Sequence, residues 1–223
     1  MEILGAVFDC DGLLVDTETS DYASWQAIYT EYDLTIKLED WAKDVGAPGG
    51  GNFDWHGPLE VLVGPGYDRE AIRVRRSALQ AAAVGNLAPL PGVIALLDAF
   101  ERAKIPCAVA SNSKLAWVDR VLSPVGLIGR FAAIASAEEV EFGKPAPDVY
   151  LLAAKRLGVP PACCVAFEDS PHGLAAACAA GMRTVAVPTA LTGHLDFSAA
   201  DYIVRSLAEI TIEDLCQDIE RGK

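Results

Sequence analysis

The chain has 223 residues, enough for one large domain or for one with a small companion, and enough to bury a core without disulfide or metal staples. Hydrophobic residues make up 52% and charged residues 22%, which excludes an intrinsically disordered chain. With 18 basic against 31 acidic side chains the formal charge is −13, which argues against nucleic acid and anionic membrane surfaces as partners but leaves room for a small phosphorylated ligand at a locally positive site.

The first predicted element is a strand. Ile3-Leu4-Gly5-Ala6-Val7-Phe8 is a continuous apolar run that stops at Asp9-Cys10-Asp11-Gly12, the pattern of a strand buried on both faces. Residues 17–88 read differently. Helices are predicted over 19–31 and Arg69–Val84, no strand is evident between them, and the glycine-rich stretch 46–51 cannot be a regular element. Pro89-Leu90-Pro91-Gly92 marks a return to strand and helix alternation. A helix over 93–103 carries Val93, Leu96, Leu97 and Phe100 on one face. The apolar run 105–110 ends at Ser111-Asn112, and a helix over Leu115–Leu122 follows. A short strand over 131–135 precedes the loop Gly143-Lys144-Pro145. Asp148–Leu157, set between Pro147 and Gly158, is the next helix. The run 163–167 ends at Glu168-Asp169-Ser170, a helix over 174–180 is closed by Gly181, and 184–187 and 202–204 are further strands.

Such alternation predicts βαβ units and a parallel sheet. The expected fold class is α/β: a Rossmann-like parallel-sheet core formed by residues 1–16 and 89–223, with a helical cap, residues 17–88, inserted after the first strand. The six cysteines, Cys10, Cys107, Cys163, Cys164, Cys178 and Cys216, form no C-x-x-C and no zinc spacing, and read as small buried hydrophobes in a reducing compartment. Strand alternation turns Cys10 away from both neighbouring aspartates. The N-terminus lacks the pattern of a secretory signal, and no apolar run reaches the ~20 residues of a membrane span. A cytoplasmic protein is expected.

In open parallel sheets, sites form beyond the carboxyl ends of the strands. Three predicted strands end there in polar residues: Asp9 and Asp11, Ser111 and Asn112, Glu168 and Asp169. Each set alone has an ordinary structural reading, as turn residues or helix caps, and Lys144 alone as a solvated lysine. Together they define a chemistry. Clustered carboxylates favour a hard divalent cation, for which Mg²⁺ is the natural choice because it shares its shell with substrate phosphate. A carboxylate with a free oxygen can attack phosphorus to give an aspartyl-phosphate. Lys144 and Ser111 can stabilise charge on the transferring oxygens, and one further carboxyl is needed as acid and then base.

The segment Phe8-Asp9-Cys10-Asp11-Gly12-Leu13-Leu14-Val15-Asp16-Thr17-Glu18 resembles the first motif of the haloacid dehalogenase superfamily of phosphohydrolases. Ser111-Asn112 resembles the second motif, Gly143-Lys144-Pro145-Ala146-Pro147-Asp148 the third, and Phe167-Glu168-Asp169-Ser170-Pro171-His172-Gly173 the fourth. The likeness is to the branch with a helical cap, which includes phosphoglycolate phosphatase, sugar-phosphate phosphatases and β-phosphoglucomutase. It implies that Asp9 is the nucleophile and a Mg²⁺ ligand. It implies that Asp11 is the general acid/base with its backbone carbonyl on the metal, and Asp169 the other carboxylate ligand, with Glu168 close by or acting through water. Ser111, Asn112 and Lys144 would hold the phosphoryl group. The expected activity is a Mg²⁺-dependent phosphatase, a phosphoric monoester hydrolase acting on a small phosphorylated metabolite of the sugar-phosphate kind.

The alternative is a β-phosphoglucomutase-like phosphomutase. The mutases resembled here carry a His after the first motif and an Arg in the cap's substrate loop. This sequence has Asp21 at the first position and Gly46-Ala47-Pro48-Gly49-Gly50-Gly51-Asn52 at the second. A negative Asp21 is expected to repel a second phosphate, and the glycine-rich loop to offer no fixed positive charge.

Overall fold

Strand β1 (Gly5–Phe8) is buried along its whole length, and its side chains divide between two apolar layers. Ala6 and Phe8 face one layer and Val7 the other, the period-two alternation of an extended chain. The computed structural model describes residues 2–45 and 53–216. After β1 come helices α1 (Thr17–Thr30), α2 (Leu38–Trp41), α3 (Gly57–Val63) and α4 (Arg69–Val84), and residues 17–88 contain no strand among the described residues. The carboxylate of Asp16 caps α1 through Thr19 N, and that of Asp68 caps α4 through Glu70 N and Ala71 N. These helices enclose an apolar cluster of their own around Trp25, Ile28, Tyr29, Trp41, Trp55 and Leu59. The chain leaves and rejoins the sheet at one place: Leu90 N donates to Leu14 O at 3.0 Å, and Val15 bridges Pro89.

From there strands and helices alternate: α5 (Val93–Arg102), β2 (Cys107–Ser111), α6 (Leu115–Leu122), β3 (Ala133–Ser136), α7 (Asp148–Leu157), β4 (Cys164–Glu168), α8 (Pro171–Ala179), β5 (Arg183–Ala186), β6 (Tyr202–Ile203) and α9 (Ile212–Cys216). The six strands form one sheet in the order β3-β2-β1-β4-β5-β6, and every pair is parallel. Helices α5 and α6 cover the face that holds Phe8, and α7 and α8 cover the face that holds Val7. The order reverses beside β1, the switch point at which a crevice opens between crossovers. Phe8 pairs with Val109 on one side and Phe167 on the other, so Asp9, Ser111 and Glu168 emerge at the same edge.

The predicted α/β architecture is the one observed. Helices α2, α3 and α9 were not foreseen, being short and lacking a sustained apolar period. The glycine-rich stretch 46–51 lies outside the described residues. Cys10 is buried in the layer of Phe8, as alternation requires. The reading of all six cysteines as buried is corrected: Cys178 and Cys216 are exposed and Cys163 is half-buried. Cys178 sits at the end of α8 and Cys216 at the end of α9, where a helix turns part of its circumference to solvent whatever the residue.

The sheet register at the switch point rests on an aromatic stack. The Phe8 and Phe167 ring centroids lie 4.6 Å apart at 12°, and Phe100 and Phe131 meet Phe8 edge-on with centroids 6.0 Å away. Phe167→Ala is expected to cost about 3–5 kcal/mol, the range for emptying an aromatic core site. Urea unfolding followed by circular dichroism measures it, and a loss below about 1 kcal/mol would show that the stack is dispensable.

Candidate active site

Period-two alternation puts Asp9 on the same side of β1 as Val7, and Glu168 on the same side of β4 as Ala166. That is the face covered by α7, and there Lys144 enters. Its side chain is buried, and its Nζ donates to Asp9 Oδ1 and, at 2.6 Å, to Glu168 Oε1. Tyr150 of α7 donates its hydroxyl to the same Glu168 oxygen at 2.5 Å, and its ring lies 5.0 Å from the ammonium. Burial disfavours the charge on Lys144, but the carboxylates of Asp9 and Glu168 outweigh it and hold the ammonium above the ordinary lysine range. The surface reading of Lys144 does not apply.

The lysine is held by the chain around it. Asn112 accepts from Lys144 N at 2.8 Å and donates to Lys144 O at 3.2 Å. A Cβ on Gly143 would stand 2.7 Å from Asn112 Oδ1, so the close approach requires glycine. Asn112, expected from the motif to hold phosphate, thus binds the lysine loop with both ends of its amide. The peptide bond between Lys144 and Pro145 is cis.

Asp9, Glu168 and Asp169 bring one carboxylate oxygen each within 4.8 Å of one another, all buried. Three carboxylates against one ammonium leave two negative charges uncompensated, the complement of a divalent cation. Asp169 Oδ2 is fully enclosed and accepts no hydrogen bond among the described residues. An orphaned buried oxygen of this kind fits a metal ligand. Gly12, with φ +79°, keeps the space in front of it open: a Cβ there would stand 2.2 Å from Asp169 Oδ2. Glu168 is occupied on both oxygens, by Lys144 and Tyr150 on one and by Ser170 N and Oγ at 3.4 and 3.3 Å on the other. It therefore fits a place beside the ion better than in direct contact with it.

Asp11 has a different environment, with no cation on its carboxylate among the described residues. Oδ1 accepts from Thr17 Oγ1 and Trp117 Nε1, both at 2.8 Å, and Oδ2 from Ser113 Oγ at 2.7 Å and, weakly, from Ser111 Oγ at 3.4 Å. Ser111 is buried, and its Oγ also accepts from Ser113 N at 2.9 Å.

Asp9, Asp11, Ser111, Asn112 and Lys144 line the floor of a cavity of about 1060 Å³ between the inserted helices and the sheet edge. Its upper wall was not read from the sequence. Arg73, Arg76 and Gln80 of α4 reach it from one side, and Lys114, Trp117 and Arg120 from the other. Asp21 of α1 is paired with Arg76 and accepts a further bond from Gln80. The expected bare negative charge at Asp21 is therefore corrected. The guanidinium compensating it comes from 55 residues further along the chain, a separation no local motif encodes. The glycine-rich loop expected to offer no fixed positive charge lies outside the described residues, and the guanidinium groups on the wall come from α4 instead.

A family model for haloacid dehalogenase-like hydrolases covers residues 3–181. The chain belongs to this family. It is an enzyme and a hydrolase, as the motifs predicted. It is 39% identical over 211 residues to YhcW of Bacillus subtilis, covering 94% of each chain, and 34% identical over 218 residues to hexitol phosphatase B of Escherichia coli, covering 96% of this chain and 97% of the other. The crystal structure of CbbY from Rhodobacter sphaeroides in complex with phosphate is similar with a TM-score of 0.72 and 28% identity, over 93% of this chain and 96% of that one. Among the described residues no helix is long and apolar enough to cross a membrane.

The crowding of carboxylates has a consequence for stability. Burial, reinforced by Asp11, Asp21, Asp9 and Asp16, pushes Glu18 from the usual glutamate range up to about 8. Burial, offset in part by Lys144, also raises Asp9, and burial with Asp9 and Glu168 raises Asp169. A folded carboxyl with a raised pKa keeps a proton that the unfolded chain has lost, so its stabilisation is complete at low pH and disappears as pH rises through the folded value. The metal-free protein is expected to lose thermal stability between about pH 5 and pH 8. A divalent cation on these carboxylates has to displace those protons, so added Mg²⁺ is expected to raise Tm more at pH 8 than at pH 6. Thermal scans with Mg²⁺ or EDTA at both pH values test this, and an equal or larger Mg²⁺ effect at pH 6 would contradict it.

Proposed function

We propose that this hydrolase is a Mg²⁺-dependent phosphatase of small phosphorylated metabolites, of the sugar or polyol phosphate class, working through an aspartyl-phosphate on Asp9. The observation that carries the reading is the pairing of two aspartates, two residues apart, with opposite partners: Asp9 against a buried ammonium and Asp11 against neutral donors. The name of the relative hexitol phosphatase B supports the substrate class. Residues 17–88 act as the cap over the core of residues 1–16 and 89–223.

In the first step Asp9 Oδ attacks phosphorus, the ester P–O bond breaks, and Asp11 gives its proton to the departing oxygen. Lys144 and Ser111 bind the phosphoryl oxygens as charge moves onto them, while Asn112 fixes the loop that carries the lysine. In the second step Asp11 takes a proton from water as that water attacks phosphorus, the acyl-phosphate bond breaks, and Asp9 is released as carboxylate with inorganic phosphate as product. Asp9, Asp169 and the backbone carbonyl of Asp11 would hold Mg²⁺, with Glu168 close by. When bound, the ion offsets charge on the phosphoryl oxygens. The inserted helices exclude bulk water and select the alcohol.

Asp9→Asn is expected to keep the fold and to lose at least ~10³-fold in turnover, about 4 kcal/mol of barrier, because an amide oxygen is a poor nucleophile. Near-normal phosphate release by the folded variant would sink the assignment.

The guanidinium groups of Arg73 and Arg76 on the cavity wall favour one other reading, a phosphomutase whose intermediate is held by its second phosphate. With Mg²⁺ and β-glucose 1-phosphate plus a trace of the bisphosphate, ³¹P NMR is expected to show inorganic phosphate accumulating without an isomer, and EDTA to stop the reaction. Glucose 6-phosphate forming faster than free phosphate would decide for the mutase.

A further inference from the structure

Three of the four groups around the Asp11 carboxylate are hydroxyls: Thr17 Oγ1, Ser111 Oγ and Ser113 Oγ. A hydroxyl rotates and can donate or accept, so none of the three fixes the carboxylate by itself. The fourth is the indole N–H of Trp117, 2.8 Å from Oδ1 and 106 residues distant in sequence. An indole can only donate, and its ring is rigid. Trp117 is half-buried on α6 with its ring on the cavity wall, and the Arg120 guanidinium lies 5.8 Å from the ring centroid.

We infer that Trp117 is a positioning residue: its indole N–H holds the Asp11 side chain in the orientation from which it meets the leaving oxygen of the substrate. Asp11 stands beyond the end of β1, next to Gly12 at φ +79°, where an isolated bridge to Val15 fixes the backbone and the side chain is left to its own contacts. Thr17 at the start of α1 and Trp117 on α6 grip the same oxygen from two elements, so Oδ1 is anchored and Oδ2 is turned toward Ser111 and Ser113 at the end of β2. A bond from a neutral donor to a carboxylate is stronger than one between neutral groups, and it fixes direction as well as distance. The inference rests on the reading of Asp11 as the general acid.

The test exploits the leaving group. An alkyl phosphate expels an alkoxide that must be protonated, whereas 4-nitrophenyl phosphate expels a phenolate that needs no proton. Trp117→Phe keeps an aromatic side chain, though a smaller one, and removes the N–H. Its kcat/KM is expected to fall about tenfold on an alkyl phosphate such as a hexitol phosphate and less than about twofold on 4-nitrophenyl phosphate, one charge-assisted hydrogen bond's worth. Asp11→Asn, run alongside, is expected to show the same discrimination more strongly. Equal losses on both substrates in Trp117→Phe, or no loss on either, overturn the positioning role while Asp11→Asn still discriminates. If Asp11→Asn itself loses equally on both, the acid assignment has failed and the inference falls with it. Should Trp117→Phe not fold, indole ¹H–¹⁵N spectra of the native chain and of Asp11→Ala give the answer: one of the four indole signals is expected to move upfield when the acceptor is removed, and a spectrum in which none moves overturns the bond.

Discussion

The buried ammonium of Lys144 is the constraint around which the site is arranged. A lone charge at that depth is unstable, and losing one member of a buried pair costs about 3–5 kcal/mol because the other is left uncompensated. Lys144 therefore needs both Asp9 and Glu168, and the sheet brings them together because Phe8 and Phe167 are in register. The arrangement is tight at its margins. A Cβ on Gly173 would stand 1.9 Å from Glu168 Oε1, so the first turn of α8 can pass behind that carboxylate only as glycine. With Asp169 added, three carboxylates face one ammonium and two negative charges are left over. A divalent ion closes the balance, and the unpartnered Asp169 oxygen marks where it is wanted.

The sheet and the polar edge were legible in the sequence because their signals are local. Each buried strand is a short apolar run, and each ends abruptly in the residue that reaches the crevice: Phe8 to Asp9, Ala110 to Ser111, Phe167 to Glu168. Helices Arg69–Val84, Leu115–Leu122 and Asp148–Leu157 have the bounds that caps and periodicity predict. What was missed depends on pairs distant in the chain. Tyr150 finds Glu168 only once α7 has packed on the sheet, Arg76 finds Asp21 only once α1 and α4 are side by side, and Trp117 finds Asp11 across the crevice. None of these residues has a spacing that distinguishes it from an ordinary helix-face residue. The exposed Cys178 shows the converse: a residue type that prefers burial was read as buried, but position on the helix decided the matter.

The cavity is electrostatically two-sided. Its floor is acidic, with Asp9, Asp11 and Glu18, and its upper wall carries Lys114 and Arg120 together with Arg73 and Arg76, which are paired with Glu70 and Asp21. A chain of formal charge −13 thus presents a local positive rim above a negative floor. An anion approaching the rim is attracted there, but at the floor it meets carboxylates and needs the charge of Lys144 and of a metal ion to stay. Under the proposed function, the same division separates the two ends of one ligand: the phosphoryl group goes down to Lys144, and the hydroxylated remainder lies against Asp21, Gln80 and the guanidinium groups.

The two aspartates of the first motif obtain different properties from one short turn. Asp9 is the last residue to follow the direction of β1, so its side chain points into the α7 face and meets an ammonium. After Cys10 the chain bends through Gly12 at φ +79°, and Asp11 turns instead toward α1 and α6, where it meets hydroxyls and an indole. At Asp9 the fixed ammonium offsets part of what burial costs the charged carboxylate, while Asp11 is surrounded by neutral donors alone. Glycine is needed at the bend for two independent reasons, the positive φ and the Asp169 oxygen 2.2 Å from where a Cβ would stand. The different surroundings of Asp9 and Asp11 are thus built from backbone geometry, and the same glycine that divides them keeps open the space in front of the Asp169 oxygen that has no partner among the described residues.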